Sequence, residues 1–258
     1  MKKALFLLCC ALVLVSVSAC GGSSKKEVRP AEEFNPDQAF DRANKMIEKK
    51  EYDEARALLL EIKNRDLTKK YGPAAQLRIA DTYVKDGEPE LAVAEYQRFL
   101  DIYPDHQHAP YAQYQIAMVY FNQIEGPDRG YGGAERALFE FEKLKRDFPR
   151  NPYKDVIDIR IEKCKNTIAE YEYLVGEFYL KKGSYAAAIG RFEGVLHKFP
   201  EFYKSDRLYF SLARAYRKSA DPDKAEALLN RLIEKFPSSP LVKDAAKELS
   251  SLRKDVKK

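Results

Sequence analysis

The chain has 258 residues, 33% of them charged and 45% hydrophobic, with no tryptophan and 13 prolines. Lys and Arg number 45 against 40 Asp and Glu, a formal charge of +5 to which Lys2 and Lys3 contribute two. So small an excess, with the signs alternating along the chain, argues against a nucleic-acid partner and for ordinary solvated helix faces.

Residues 1–19 read as an export signal. Lys2 and Lys3 give the positive start, and a run of 14 mostly apolar residues, Ala4–Val17, follows. That run is too short for a comfortable bilayer crossing. It ends in Val17-Ser18-Ala19-Cys20, which looks like a bacterial lipobox. Such signals imply cleavage after Ala19 and acylation of Cys20, and a multi-chain acyl anchor holds stably. Gly21 follows, not Asp, which among such lipoproteins favours sorting to the outer membrane. Residues 20–33 are then a lipidated cysteine and a polar, aperiodic tether. Cys9 and Cys10 leave with the signal, so only Cys164 remains and no disulfide can form within the mature chain.

From Pro36 onward one pattern recurs. Ala169–Pro200 sets it: small residues Gly176 and Ala188 at positions 8 and 20, Tyr179 at 11, Phe192 at 24 and Pro200 at 32. This is the tetratricopeptide spacing of a helix–turn–helix unit about 34 residues long. Small residues let two helices cross closely, aromatics fill the space beside the crossing, and proline forces the chain to turn back. Gly183 suits the end of the first helix, and Ser184 is placed to cap the second. Units beginning at Pro36, Pro73, Pro110 and Asp206 repeat the template, with Ala43/Ala55, Ala80/Ala92, Ala117/Ala137 and Ala213/Ala225 as the small pairs. The fold class is therefore all-α, a TPR-type α-solenoid of five helix–turn–helix repeats. Asn35-Pro36, Pro89 and Asp221-Pro222 mark helix starts.

The third unit departs from the template by an eight-residue insertion between Tyr120 and Ala137, with glycines at 126, 130, 132 and 133. It predicts an irregular loop, and without the G-x-x-x-x-G-K-[ST] order it is no nucleotide cradle. After Pro149 the stretch before the fourth unit exceeds a short turn, and a single long helix is expected over 155–182. Residues 34–150 thus form repeats one to three, and 151–252 the linking helix, repeats four and five and a terminal helix over 241–252. Residues 253–258 are a basic tail.

No catalytic constellation is present: H-E-x-x-H, G-x-S-x-G and P-loop patterns are all missing. His106 and His108 share a turn without the further ligands a metal site needs. The expectation is a binding protein that is no enzyme, with no cofactor and no metal. In TPR arrays the first helix of each unit lines the binding face, at positions 2, 5, 9 and 12 or 13. These positions give Phe40, Asn44 and Ile47 in the first unit, Leu77 and Asp81 in the second, and Tyr111, Tyr114, Met118 and Asn122 in the third. The lining is aromatic and apolar and suits an extended peptide, although packing of the array would use the same residue types. In the fifth unit the corresponding residues are Arg207, Phe210, Arg214 and Arg217, which favour an acidic partner.

Beyond the generic repeat, the chain resembles the BamD family, the lipoprotein component of the bacterial β-barrel assembly machinery. The residues that carry the resemblance are Tyr114-x-x-Ala117 with the Asp128-Arg129 insertion, Ala137-x-x-x-Phe141, and Phe148-Pro149-x-Asn151-Pro152-Tyr153. Ala169-Glu170-Tyr171-Glu172, Glu177-x-Tyr179-x-x-x-Gly183-x-Tyr185 and Arg191-x-Glu193-Gly194-x-Leu196-x-x-x-Pro200 complete it. The match spans about residues 20–240. The resemblance implies an outer-membrane lipoprotein facing the periplasm, tethered through its lipid. It implies docking on the periplasmic domains of BamA and delivery of unfolded outer-membrane barrel proteins. The amino-terminal repeats would take substrate segments, and the carboxy-terminal ones, with Arg191, Arg207, Arg214 and Arg217, would contact BamA. The alternative is another TPR lipoprotein, a pilotin or an adaptor for cell-wall hydrolases, a class that usually lacks the long linking helix.

Overall fold

The computed structural model describes residues 34–255; the signal segment, Cys20 and the tether lie outside the described residues, as do residues 256–258 of the tail. Among the described residues there are eleven helices and no strand. They are α1 (Pro36–Glu48), α2 (Tyr52–Arg65), α3 (Gly72–Asp86), α4 (Pro89–Ile102), α5 (Ala109–Asn122), α6 (Gly132–Asp147), α7 (Lys154–Lys181), α8 (Tyr185–Lys198), α9 (Ser205–Lys218), α10 (Pro222–Lys235) and α11 (Val242–Asp255). Each packs chiefly on its neighbours in sequence, with a further contact between α7 and α9. The first ten pair into five hairpins and α11 covers α10, an all-α TPR-type solenoid.

The repeat positions explain the packing. Every small residue at positions 8 and 20, from Ala43 and Ala55 through Gly176 and Ala188 to Ala213 and Ala225, is buried. So is each position 24: Leu59, Tyr96, Phe141, Phe192 and Leu229. At Gly176 the crossing leaves no room for a side chain. A Cβ built there would lie 2.7 Å from Phe192 Cδ1, so the Phe192 ring occupies the space that a side chain would need.

Turns within four of the five hairpins follow one rule, from which the inserted third unit departs. Position 15 takes a left-handed backbone, filled by Gly87 (φ +82) and Gly183 (φ +79) but by Lys50 (φ 64) and Ala220 (φ 63) in the first and fifth units. A side chain there is strained where glycine is not. Asp221 caps α10 by accepting from the Lys224 amide at 3.2 Å. Ser184 stands at the N-cap of α8 but makes no side-chain bond to it, so proximity alone did not make it a cap.

The first unit lacks the closing proline and uses a carboxylate instead. Asp66 accepts from the amides of Tyr71 and Gly72, both at 2.6 Å, at the start of α3. Burial opposes ionisation of Asp66, but hydrogen bonds led by the Gly72 amide and the Thr68 hydroxyl overcome it and hold the carboxyl at about 2.

The sequence predicts one helix over 155–182, and α7 runs unbroken for 28 residues. Its first half, through Ile157, Ile161 and Cys164, completes a core with α5 and α6; its second half, from Ala169, begins the core of the last two units. Glu170, which both Lys204 and the Tyr203 hydroxyl engage, ties α7 to the start of α9. No described helix is long and apolar enough to cross a membrane.

Candidate functional site

The aromatic residues expected on the first helices divide into two groups. Phe40, Leu77, Asp81 and Tyr111 meet around a cavity of about 390 Å³ that Ala74, Arg78 and His108 complete. Asp81 organises it, accepting from the Tyr96 hydroxyl at 2.6 Å and the Tyr111 hydroxyl at 2.7 Å. Burial, and after it the charge on Asp81, push both phenols above their usual range, so they stay donors. The pocket therefore presents an apolar wall around an anchored carboxylate.

The other five expected residues lie elsewhere. Asn44 is half-buried and Ile47 buried on α1. Tyr114 stacks on Tyr153 at 4.1 Å and, with Met118, packs against the next core, while Asn122 is exposed at the end of α5. Arg160 lies over the Tyr114 and Phe121 rings, so this part of α5 faces α7.

The four arginines expected on the partner side occupy three places. Arg214 and Arg217 border a cavity of about 320 Å³ with Phe210, Asp244, Lys247, Glu248 and Ser251. Arg217 pairs with Glu248 and donates to Ser251 Oγ at 2.8 Å, so this corner sets carboxylates beside its cations rather than being simply basic. Arg207 is exposed at the start of α9.

Arg191 sits on a third surface, a groove of about 590 Å³ walled by α6 and α8 with α7 as floor. It donates to Glu172 Oε2 at 2.7 Å, and that bond and the charge of Glu172 raise its pKa. The pair belongs to a pattern that the residue-by-residue reading missed. Gln76 donates to Glu95 Oε2 at 2.5 Å and Gln113 to Glu140 Oε2 at 2.6 Å. All three pairs join position 4 of one helix to position 23 of the next, 19 residues apart except where the insertion lengthens the third unit to 27. Arg191 thus replaces a glutamate in a recurring clamp between the two helices of a repeat. The signal was present as a Gln…Glu spacing, but only an alignment of the repeats against one another would have exposed it.

The same groove holds a second feature unseen from the sequence. Gly190 and Gly194 line it with Ala187, and a Cβ built on either glycine would meet nothing within 4 Å. Glycine inside a helix costs about 1 kcal/mol relative to alanine, and packing within this chain requires neither. Tyr131, carried by the loop of the insertion, closes one side, its ring 4.9 Å from that of Tyr171. The loop is pinned where Gly133 passes close to the Gln123 backbone.

The remaining chemistry is quiet. His106 packs edge-on against Phe99 and accepts at Nδ1 from the His108 amide, a turn rather than a ligand set. No group of three or more His, Cys, Asp or Glu suited to a metal occurs among the described residues. Cys164 is fully buried and burial pushes its thiol up to about 12, so it is no nucleophile at neutral pH.

Comparison with known proteins adds three findings. Residues 32–227 match the YfiO family model, described as an outer membrane lipoprotein, and residues 206–249 match a tetratricopeptide repeat model. The outer membrane protein assembly factor BamD of Neisseria gonorrhoeae is 26% identical over 255 residues, 95% of each chain. That of Caulobacter vibrioides is 26% identical over 205 residues, 80% of this chain and 67% of its own. Among solved structures, the TPR2AB domain of yeast Sti1 in complex with pHSP90 aligns with TM-score 0.48 at 18% identity, over 86% of this chain and 84% of its own.

Proposed function

The chain belongs to the YfiO family of outer membrane lipoproteins, in which the BamD assembly factors fall, and from this we infer a non-enzymatic scaffold for outer-membrane protein assembly. Acylated at Cys20, it is held at the periplasmic face of the outer membrane. It receives segments of unfolded barrel proteins in the pocket formed by Phe40, Leu77, Asp81 and Tyr111. It docks on the periplasmic domains of BamA through the groove at Arg191. The unbroken α7 favours this over a pilotin or hydrolase-adaptor role, because those arrays usually lack such a helix.

The observation that carries the docking surface is the pair of open glycines on α8. Two mid-helix glycines whose Cβ positions are open lower stability without serving the fold, yet they let a partner backbone reach the groove floor beside Arg191. Arg191, 46% exposed, keeps donors free beyond its bond to Glu172 and can take an acidic partner group at the groove edge.

The test combines capture and crosslinking in one strain. Tagged wild-type chain, recovered from detergent-solubilised envelopes, should bring BamA with it. Gly190→Leu/Gly194→Leu should fold normally and lose BamA, while photo-crosslinkers at Tyr111 still trap unfolded barrel proteins. Recovery of wild type without BamA, or undiminished capture by the filled groove, would overturn the docking assignment. Absence of barrel-protein adducts at Tyr111 would overturn the substrate pocket.

A further inference from the structure

The groove at Arg191 has a successor one repeat further along. α8 forms one wall of each: its Gly190–Arg191 side faces α6, and its Glu193–Leu196–His197 side faces α10 across a cleft of about 580 Å³. The floor of this second cleft is α9, through Tyr209, Leu212 and Tyr216, all buried, and Leu228 on α10 continues the apolar lining. The α10 wall carries Lys224, Arg231 and Lys235.

Charge in this cleft is one-sided. Its single carboxylate, Glu193, is already engaged by the Tyr216 hydroxyl. Lys224 shares Asp221 at 3.1 Å, but neither Arg231 nor Lys235 has a carboxylate within ion-pair reach among the described residues. Lys235 instead lies 5.9 Å over the Tyr209 ring at the edge of the apolar floor. The Arg191 groove differs, since Arg191 and Lys198 there face Glu135 and Glu172. From Lys224 to Lys235 the cationic wall runs eleven residues of helix, about 17 Å at 1.5 Å per residue.

We propose that the cleft between α8 and α10 is a second docking site, which takes an amphipathic helix of a partner protein with one apolar face flanked by acidic residues. Two neighbouring helices with an apolar floor between them offer the ridges and groove that receive a third helix. The 17 Å wall matches about three helical turns. Arg231 and Lys235 select acidic flanks and reject basic ones, so they contribute specificity and encounter rate, while the floor supplies contact area. Because Lys224–Lys235 and Gly190–Arg191 lie on different sides of α8, this site is independent of the one assigned to BamA.

The experiment uses the mature full-length chain and a displayed library of random sixteen-residue peptides, with Ala227→Trp as the counter-selected protein. Ala227 is exposed and lines the cleft, so the indole fills the groove and leaves every charge in place. The selected peptides should carry apolar residues at i, i+3, i+4 and i+7 with Asp or Glu beside them. By fluorescence anisotropy a synthetic winner should lose about tenfold or more in affinity to Ala227→Trp and to Arg231→Glu/Lys235→Glu. It should bind Gly190→Leu/Gly194→Leu as it binds wild type, which separates this site from the first groove. Circular dichroism melts of Ala227→Trp and Arg231→Glu/Lys235→Glu should match wild type, and Gly190→Leu/Gly194→Leu should melt no lower. Enrichment of basic or non-amphipathic sequences, insensitivity to both cleft variants, or no binder tighter than millimolar would overturn the proposal. Retention of the unacylated Cys20→Ser chain on vesicles containing phosphatidylglycerol, lost when Arg231→Glu/Lys235→Glu is added and with no peptide selected, would assign the cleft to a membrane surface instead. A sedimenting dimer abolished by Ala227→Trp would assign it to a second copy of the chain.

Discussion

Replacing Gly176 by alanine adds one methyl group to a helix interior, a change that ordinarily stabilises. Here the sign should reverse. The new Cβ would stand 2.7 Å from Phe192 Cδ1 and 2.9 Å from Cζ, against the 3.5–4.0 Å at which carbon contacts are favourable. Phe192 cannot swing aside, because it is fully buried and its ring lies 5.8 Å from that of Tyr173. Overpacking of this kind costs about 1–3 kcal/mol, and the gain in helix propensity returns about 1 kcal/mol. Contacts this short place the cost in the upper part of that range, about 2–3 kcal/mol, so the net loss should be about 1–2 kcal/mol, a fall of roughly 2–8 °C in Tm for a chain of this size. Gly190→Ala makes the same chemical change into open space and should gain up to about 1 kcal/mol. Phe192→Leu should rescue Gly176→Ala, because the first and fifth units already pair alanine at position 8 with Leu59 or Leu229 at position 24. Urea melts of the three variants decide it. Gly176→Ala as stable as wild type, or no coupling to Phe192→Leu, would refute the crossing geometry.

Three further outcomes follow from the same structure. Arg191→Glu sets two carboxylates against each other across α7 and α8, where wild type has a pair at 2.7 Å; it should cost about 1 kcal/mol, and Glu172→Arg/Arg191→Glu should restore the stability but not capture of BamA. Recovery of capture by the swapped pair would show that Arg191 serves only the clamp. Asp66, depressed to about 2, stabilises the folded state fully above its unfolded pKa and loses that contribution as pH falls towards 2. Asp66→Asn should therefore lower the urea midpoint at pH 7 by the equivalent of about 0.5–1 kcal/mol after allowance for solvent screening, with the difference shrinking at pH 2. Ala220→Gly relieves a residue held at φ 63 and should raise Tm by a few degrees, although glycine's greater freedom when unfolded offsets part of the gain; a lower Tm would show that the turn is not strained.

The fold was legible because each repeat states it again. Ala80/Ala92 or Gly176/Ala188 alone would be weak evidence, but five small pairs at one spacing, each followed by a bulky position 24, leave one way to pack. The long α7 was legible for the complementary reason: nothing between Lys154 and Lys181 breaks a helix except Gly176, whose place in the template was already accounted for. The pocket of Phe40, Leu77, Asp81 and Tyr111 was half legible. Helical period told which residues share a face, but not that the later turns of α5 would turn toward Tyr153 and Arg160 at the start of the linking helix, because that contact depends on the extra stretch after Pro149 and not on the template. Charge was the least legible property. The arginines of the fifth unit read as a basic surface, yet Arg217 spends its charge on Glu248, 31 residues away on a helix that no repeat position predicts. The reverse holds on α10, where Arg231 and Lys235 rim a cleft with an apolar floor and have no carboxylate within ion-pair reach among the described residues. Repeat periodicity fixes which residues face the core. It shows the partners of polar residues only where a pair recurs within the repeat, as in the position 4 to position 23 clamp, and not where the partner lies outside it, as for Arg217 and Glu248. Candidate binding surfaces on such an array are therefore to be sought where the template leaves glycines open or cations without a carboxylate partner, as proposed for the two sides of α8.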